Sequence, residues 1–512
     1  MKLPIGIQTF REIIEGNYVY VDKTKYALDI LQNYKYVFLS RPRRFGKSLF
    51  LDTLKNIFEG NKELFKGLYI YNKYDFEKYP VIKIAFSTIT STQDLMNDFE
   101  AKLSQIQKEL KIECKNKDYA NCFEELIQKA YEKYQKKVVI LIDEYDKPIL
   151  DMIDNIKIAK AHRDILRRFY TKIKDNDKYI RFAFLTGISK FSKASIFSGL
   201  NQIEDISLTP EFGNICGYTQ EELESYFLEM LKDVDLEKVK EWYNGYNFLG
   251  ERVYNPFDIL KFIKNNFLFD NYWWESGNPF SLIELLKRGN YYIPNLENLK
   301  TDKTLVNTFD VEKIQLESLL FQAGYLTIDK VVETPFGIEY ELKVPNKEVQ
   351  VSLNALFINY LTGEIRDDVR KWIYYSLESE NLDTFKETLY NLFASIPYNN
   401  YTNNEIATYE GYWASLVYCY LAGSGLNIIA EDVTNRGRID LSIIFKDKVY
   451  IIEFKVAKND SLNALEQIKQ KKYYEKYLNP KSQIPNPKVY LVGITFSEEE
   501  RNIVEFEWEE LK

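Results

Sequence analysis

Arg41-Pro42-Arg43-Arg44-Phe45-Gly46-Lys47-Ser48 follows the apolar run Tyr36–Ser40 and precedes a helical stretch, Leu49–Phe58. A strand, a loop closing on Gly-Lys-Ser and a helix form the arrangement in which backbone N–H groups at a helix N-terminus cradle phosphates. There Lys47 reaches the β- and γ-phosphates of a nucleotide and Ser48 ligates Mg²⁺. One position departs from the motif: Arg41 stands where a first glycine is usual, and a side chain there limits how tightly the loop wraps. Downstream, Val138–Ile142 runs into Asp143-Glu144, a hydrophobic strand ending in two carboxylates. The first suits Mg²⁺, and the second suits the orientation of an attacking water. Thr186, ending the strand that begins at Phe182, is placed like a polar sensor of the γ-phosphate. Each half alone also reads as a basic turn or as a buried strand reaching solvent; the two in this order point to nucleotide chemistry.

A second concentration of reactive types lies near the C-terminus. Asn435–Asp440 leads into Leu441–Phe445, Lys448–Lys455 follows Lys446-Asp447, and a two-residue hairpin loop there pairs Phe445 with Lys448. Counting back places Asp440 opposite Glu453, with Lys455 on the same face by the period of two. Ile439, Leu441, Ile443, Tyr450, Ile452 and Phe454 fall on the other face, so the alternation buries one side against a helix and presents the three charged residues on the other. Two opposed carboxylates destabilise a purely structural pair, and a bridging divalent cation removes the conflict. Lys455 is then free to orient water or to stabilise charge developing on a phosphate. Glu410, at the start of the helical run before Leu421, can bring a further carboxylate to the same ion, and Gln467 follows on the next helix. The plainer reading is a half-solvated hairpin with ordinary charges.

Composition narrows the chemistry further. One histidine, His162, among 512 residues excludes His-rich metal sites and HExxH zinc proteases, so metal chemistry falls to carboxylates and to Mg²⁺ or Mn²⁺. The four cysteines (Cys114, Cys122, Cys216, Cys419) are too dispersed for a zinc ribbon and too few for a disulfide framework, which fits a reducing cytosol. No stretch approaches the ~18 apolar residues of a membrane helix, and the N-terminus turns polar too early for a signal peptide. The reading is a soluble, cytoplasmic protein with no membrane partner. A net charge of -8 excludes a wholly basic coat protein. Yet from Arg436 to Lys481 eleven Lys/Arg stand against six Asp/Glu, a local balance that suits a polyanion groove.

The elements that must position these residues fall into three stretches of an α/β chain. Residues 1–210 alternate short apolar runs with helical segments, as a parallel sheet flanked by helices requires. Strands are expected at Tyr36–Ser40, Val81–Ser87, Val138–Ile142 and Phe182–Thr186. Residues 211–384 read as mostly helical, punctuated by turns at Asn255-Pro256 and Gly277-Asn278-Pro279. Within them, a helix (Glu312–Ala323) and two strands (Tyr325–Ile328, Ile338–Val344) are compatible with a winged helix. Residues 385–512 form a compact α/β unit.

These residues together resemble a large bacterial family that joins an AAA-like P-loop ATPase domain to a C-terminal PD-(D/E)XK, restriction-endonuclease-like domain. The resemblance rests on Leu3–Phe10, Tyr20–Thr24, the loop 41–48, Leu141–Asp146, Leu185–Lys190 and the C-terminal hairpin. It implies ATP and Mg²⁺ as cofactors, with loop residues Arg41 to Ser48, Asp143 and Thr186 around the nucleotide and Glu144 acting on water. It implies Asp440, Glu453 and Lys455 as the nuclease triad, with Glu410 as the helical acid and Gln467 in support. In that family arginine at the position of Arg41 is usual. Nucleic acid is the implied partner, DNA before RNA. Assembly into a homo-oligomer is also implied, because such ATPases commonly borrow an arginine from a neighbouring subunit, and spacing ranks none of Arg163, Arg167, Arg168 and Arg181. Two functions are compatible with all this: an ATP-dependent, Mg²⁺-requiring nuclease, or a nucleotide-switched DNA-binding or regulatory protein whose nuclease-like domain does not cut.

Overall fold

The computed structural model describes residues 2–86, 88–153, 155–190, 200, 202–275, 293, 299–302, 315–362, 366–396, 410–457, 463–478 and 484–511, without the side chains of Asp367 and Glu410. The chain divides into two compact units, Met1–Leu282 with Lys300–Asn346, and Ile283–Leu299 with Lys347–Lys512.

Five strands build the sheet of the first unit: β1 (Tyr36–Ser40), β2 (Val81–Ala85), β3 (Val138–Asp143), β4 (Ile180–Gly187) and β5 (Glu204–Asp205). They lie in the order β2-β3-β4-β1-β5, and every pairing is parallel. Val138 to Ile142 carry no residue fit to face water, and all five are fully buried, with helices Lys47–Phe58 and Tyr119–Tyr134 packed on β3. The four expected strands are present. β5 was not anticipated; two residues, one of them exposed, leave no pattern to read.

Residues 211–275 contribute helices Gln220–Phe227, Leu236–Tyr243 and Pro256–Lys264 to the same unit. Thr219 and Glu222 form a capping box on the first. Asn255 caps the third, accepting from the Phe257 N–H at 2.9 Å, with Pro256 in the first turn where its missing N–H costs nothing. The apolar faces of these helices gather around Leu223, Phe227, Tyr243 and Phe262 together with Val19 and Val21. The N-terminal signature works as a clamp here: Lys23 donates to Glu222 at 2.6 Å and to the Asn214 carbonyl at 2.9 Å. Helix Leu316–Ala323 leads into an antiparallel hairpin, β7 (Thr327–Thr334) and β8 (Gly337–Lys343), with β6 (Leu299–Asp302) on the far side of β8. The hairpin is longer than the apolar pattern suggests because its outer half is solvated on both faces. The Gly277-Asn278-Pro279 turn, Ser87 and residues 312–314 lie outside the described residues.

The second unit carries a mixed sheet of β9 (Asn427–Thr434), β10 (Gly437–Phe445), β11 (Lys448–Val456), β12 (Lys488–Ser497) and β13 (Asn502–Leu511), in the order β13-β12-β11-β10-β9. β11 and β12 run parallel, and helix Ala464–Lys471 lies on the connection between them. Phe445 pairs with Lys448 and Leu441 with Ile452, the register expected of a two-residue loop, and Lys446 takes the left-handed conformation (φ 58) that such a loop demands. The face carrying Glu453 is not open along its length as the alternation implied. Val449 and Ile451 share that face, and they pack under Leu465, Ile468 and Tyr473. On the opposite face Trp413 stacks on Phe496 with centroids 5.1 Å apart. Helix Lys347–Thr362 packs along Glu410–Gly423, so this unit begins upstream of residue 385. No helix among the described residues is long and apolar enough to cross a membrane.

Gly245 sits at φ +124 with its Cα against the Pro345 backbone, where an added Cβ would lie 1.9 Å from the Pro345 carbonyl oxygen. Gly245→Ala should therefore destabilise the first unit by about 2–4 kcal/mol. A lowered urea midpoint for its unfolding transition would register the loss; an unchanged midpoint would contradict this packing.

Candidate functional site

A cleft of ≈ 340 Å³ opens at the carboxyl ends of β1 and β3, within the usual size range of ligand pockets. Gly46, at φ 93 with open space where a Cβ would stand, turns the loop into helix Lys47–Phe58. Arg43, Arg44, Gly46, Lys47 and Ser48 line the cleft. The side chains of Arg41, Pro42 and Phe45 turn away from it. Arg41 is buried, and its guanidinium donates to the carbonyls of Ser40 (2.9 Å), Ser207 (2.7 Å) and Phe212 (2.9 Å) and lies 4.1 Å from the Phe248 ring centroid. Burial pulls its pKa down to about 10. Pro42 packs against Gly324, and Phe45 meets Tyr246 edge-on at 4.8 Å. The arginine that seemed to obstruct the loop thus braces it from behind.

Lys47 is buried, and its Nζ donates to the carbonyls of Arg41 (2.8 Å) and Pro42 (2.9 Å). Among the described residues no carboxylate pairs with it. Burial pushes its pKa down and the negative charge of Asp143 opposes that shift. A buried ammonium held only by neutral carbonyls is completed by an anion, so the loop fits a phosphate. Asp143 is buried at the end of β3 and accepts from the Glu144 N–H at 3.0 Å. Glu144, in a left-handed conformation (φ 50), reaches the cleft, and burial, then the neighbouring Asp143, raises its carboxyl above the usual range. Ser48 lines the cleft, whereas Asp143 lies at the end of β3 outside that lining. Thr186 is fully buried and donates its hydroxyl to the Leu39 carbonyl at 2.8 Å, which ties β4 to β1.

Sequence reasoning missed Asp146. It lines the cleft while accepting from the Ile188 N–H (3.0 Å) and from both the N–H and hydroxyl of Ser189 (2.5 Å each). Gly187 permits this contact, since a Cβ there would lie 2.3 Å from Asp146 Oδ1. The repeated acid in Asp143-Glu144-Tyr145-Asp146 was the available signal. Pro4, Ile7, Tyr218, Pro256 and Phe257 add an apolar wall to the cleft, with the Gln8 amide beside it. Arg44 lies 4.8 Å from the Phe257 ring. Of the four arginines considered earlier, Arg163 and Arg167 pair with Asp164, Arg168 pairs with Asp118, and Arg181 lies against Tyr79. His162 is buried, with Nδ1 donating to the Pro148 carbonyl at 2.6 Å.

In the second unit the β10–β11 ladder ends at Leu441 and Ile452, one step before Asp440 and Glu453. Asp440 Oδ2 accepts from the Phe454 N–H at 2.8 Å. Glu453 is buried, and Gln467 donates to its Oε1 from helix Ala464–Lys471. Tyr473 is the neighbour that the sequence did not announce; burial, then the charge of Glu453 and more weakly that of Asp440, raises its hydroxyl. Lys455 is half-buried two residues along the strand from Glu453. Asp440, Glu453, Gln467 and Tyr473 are therefore brought together. The side chain of Glu410 lies outside the described residues, although its backbone does begin the helix Glu410–Gly423. Among the described residues no three Asp, Glu, His or Cys side chains form a metal-binding group. Two carboxylates with water and substrate phosphate still suit Mg²⁺, which rarely takes an all-protein cage.

Comparison with known proteins finds a family for each of two stretches of the chain. Residues 4–197 match a family described as predicted AAA-ATPase, and residues 408–506 match the PD-(D/E)XK nuclease superfamily. The chain belongs to the family of AAA-ATPase-like proteins that carry a C-terminal PD-(D/E)XK nuclease-superfamily domain. It is similar to a protein of Azotobacter chroococcum mcd 1 described as "Uncharacterized protein in vnfD 5'region", 43% identical over 517 residues that span 100% of this chain and 99% of that one.

Arg41→Gly, which installs the usual glycine, should not tighten nucleotide binding. It removes a buried group that serves three carbonyls and an aromatic face, at a cost of about 2–4 kcal/mol. Thermal unfolding and nucleotide titration of this variant check both halves of the statement.

Proposed function

We propose that this chain is an ATP-dependent, Mg²⁺-requiring DNA nuclease whose nucleotide cleft gates the cleavage site of the second unit. The observation that carries the reading is the nearness of Asp440 and Glu453 with Lys455 on the same strand, in one chain with a loop whose buried lysine is hydrogen-bonded to two carbonyls. In the cleft, Lys47 donates to the β- and γ-phosphates, Ser48 and Asp143 hold Mg²⁺, and Glu144 orients the attacking water. Arg43 and Arg44 set positive charge where negative charge develops on the leaving phosphate. In the second unit, Asp440 and Glu453 hold the cation, Gln467 fixes the Glu453 carboxylate, and Lys455 orients water toward the phosphodiester. The cation, when bound, supplies charge to the scissile phosphate. An arginine contributed by a neighbouring copy belongs to the same reading.

Lys47→Ala should abolish ATP binding, whereas Glu144→Gln should bind normally and stop hydrolysis; equal ATP affinity in wild type and Lys47→Ala would overturn the assignment. Because burial raises the Glu144 carboxyl, its ionised form is lost at higher pH than for a free carboxylate. The acid limb of ATP turnover should accordingly lie above the ordinary carboxylate range, as a pH–rate profile would show.

Mg²⁺ or Mn²⁺ should raise the melting temperature of the full chain and support cutting of plasmid or single-stranded DNA, with RNA as the control substrate. Asp440→Asn should lose both responses while keeping the fold, since the amide oxygen still accepts from Phe454. Lys455→Ala should keep the metal-dependent shift and lose cleavage. DNA binding without any metal-dependent cutting by the wild type would favour the regulatory reading.

A further inference from the structure

The connection between helices Thr92–Leu110 and Tyr119–Tyr134 is strapped along one face of the second helix. Cys122, Glu125, Lys129 and Lys133 share that face by their spacing of three and four residues. Lys133 donates to the carbonyls of Leu110 (3.1 Å) and Lys111 (2.8 Å), and Lys129 donates to that of Glu113 (2.6 Å). Glu125 accepts from the N–H groups of Lys115 (2.9 Å) and Asn116 (3.0 Å). The strap therefore passes Cys114 with a fastening on either side of it. Cys114 is half-buried, Cys122 is buried, and both are thiols. The Cys114 thiol donates to the Cys122 carbonyl at 3.3 Å, and the two thiols are hydrogen-bonded to each other. Gln107 bridges the pair: its Oε1 accepts from the Cys114 N–H at 2.7 Å, and its Nε2 donates to Cys122 Sγ at 3.9 Å. Hydrogen bonding from Cys114 lowers the Cys122 thiol below its ordinary range, although burial opposes the shift.

We propose that Cys114 and Cys122 are a redox-active dithiol that closes to a disulfide on reaction with a hydroperoxide. The pair stands apart from the nucleotide and nuclease readings and depends on neither. A structural thiol packs as a small apolar group and needs no donor on its sulfur. Here an amide and a second thiol are both directed at Cys122, the kind of surroundings that favour a thiolate. The thiolate attacks one peroxide oxygen, the O–O bond breaks and a sulfenic acid forms. The departing oxygen leaves as hydroxide and takes up the proton that the thiol lost. The second thiol then attacks the sulfenic sulfur, the S–S bond forms, and the hydroxyl leaves with that thiol's proton as water. Two thiols and one hydrogen peroxide become one disulfide and two waters, with two electrons passing from sulfur to peroxide. Cys114 lies in a segment outside either helix, so the second sulfur approaches without unwinding one. Closure adds a covalent fastening to a strap otherwise held by hydrogen bonds, on a helix that packs against β3.

The test uses the full chain, reduced and freed of reductant, then exposed to a small molar excess of hydrogen peroxide in a chelating buffer. The intact mass should fall by two hydrogen atoms, and dithiothreitol should restore it. A non-reducing tryptic digest should contain the peptide Ile112–Lys115 joined to Asp118–Lys129, while Cys216 and Cys419 remain open to alkylation after denaturation. Cys114→Ser and Cys122→Ser should each abolish the two-hydrogen loss. The linked peptide is read on the wild type, so the result stands even where a serine variant fails to fold. Absence of that linked peptide, pairing of either sulfur with Cys216 or Cys419, or direct conversion of either to a sulfinic acid would overturn the proposal. Neither nucleotide nor nucleic acid is present, so the outcome is independent of the nuclease and regulatory readings.

Discussion

The buried guanidinium of Arg41 is the contact on which the first unit turns. It draws the phosphate loop back onto carbonyls at Ser207 and Phe212, and Phe248 covers it. Pro42 and Phe45 extend the same attachment to Gly324 and Tyr246. The loop is therefore embedded in the segments that follow the sheet, with only part of its sequence left facing the cleft. Any ligand that repositions the loop works against those contacts, so its binding energy is felt in the helices and hairpin beyond residue 211. This couples the state of the cleft to the remainder of the unit without a separate hinge.

Much of this was legible in the sequence, and the legible part has a common physical origin. Val138 to Ile142 could only be a doubly covered parallel strand, and the two-residue gap at Lys446-Asp447 set the register that pairs Phe445 with Lys448 and continues to Leu441 and Ile452. Both are local inferences, from composition within one strand or across one turn. What escaped was non-local. The direction of the Arg41 side chain depends on carbonyls more than 160 residues away, and the role of Asp146 depends on Ser189. Likewise, the covering of the Glu453 face depends on a helix lying between two parallel strands. Alternation assigns a residue to a face but says nothing of what lands on it.

The two sites handle unfavourable charge in different ways. At the loop, a cation is buried among neutral acceptors and left to be completed by a ligand. At the hairpin, the Phe454 N–H donates to Asp440 and Gln467 donates to Glu453, which helps to hold the carboxylates in place. The first leaves a cation on loop carbonyls, and the second sets carboxylates at the end of a strand ladder against a helix.

The position of β4 between β1 and β3 has a geometric consequence for the cleft. Neighbouring strands lie about 4.8 Å apart, so the loop after β1 and the acids after β3 are held roughly 9–10 Å from one another. With β4 between them, the loop and the two acids come to the cleft from separate strands rather than from neighbouring ones. β4 is in this sense a spacer, and the hydrogen bond from Thr186 to Leu39 keeps its width constant.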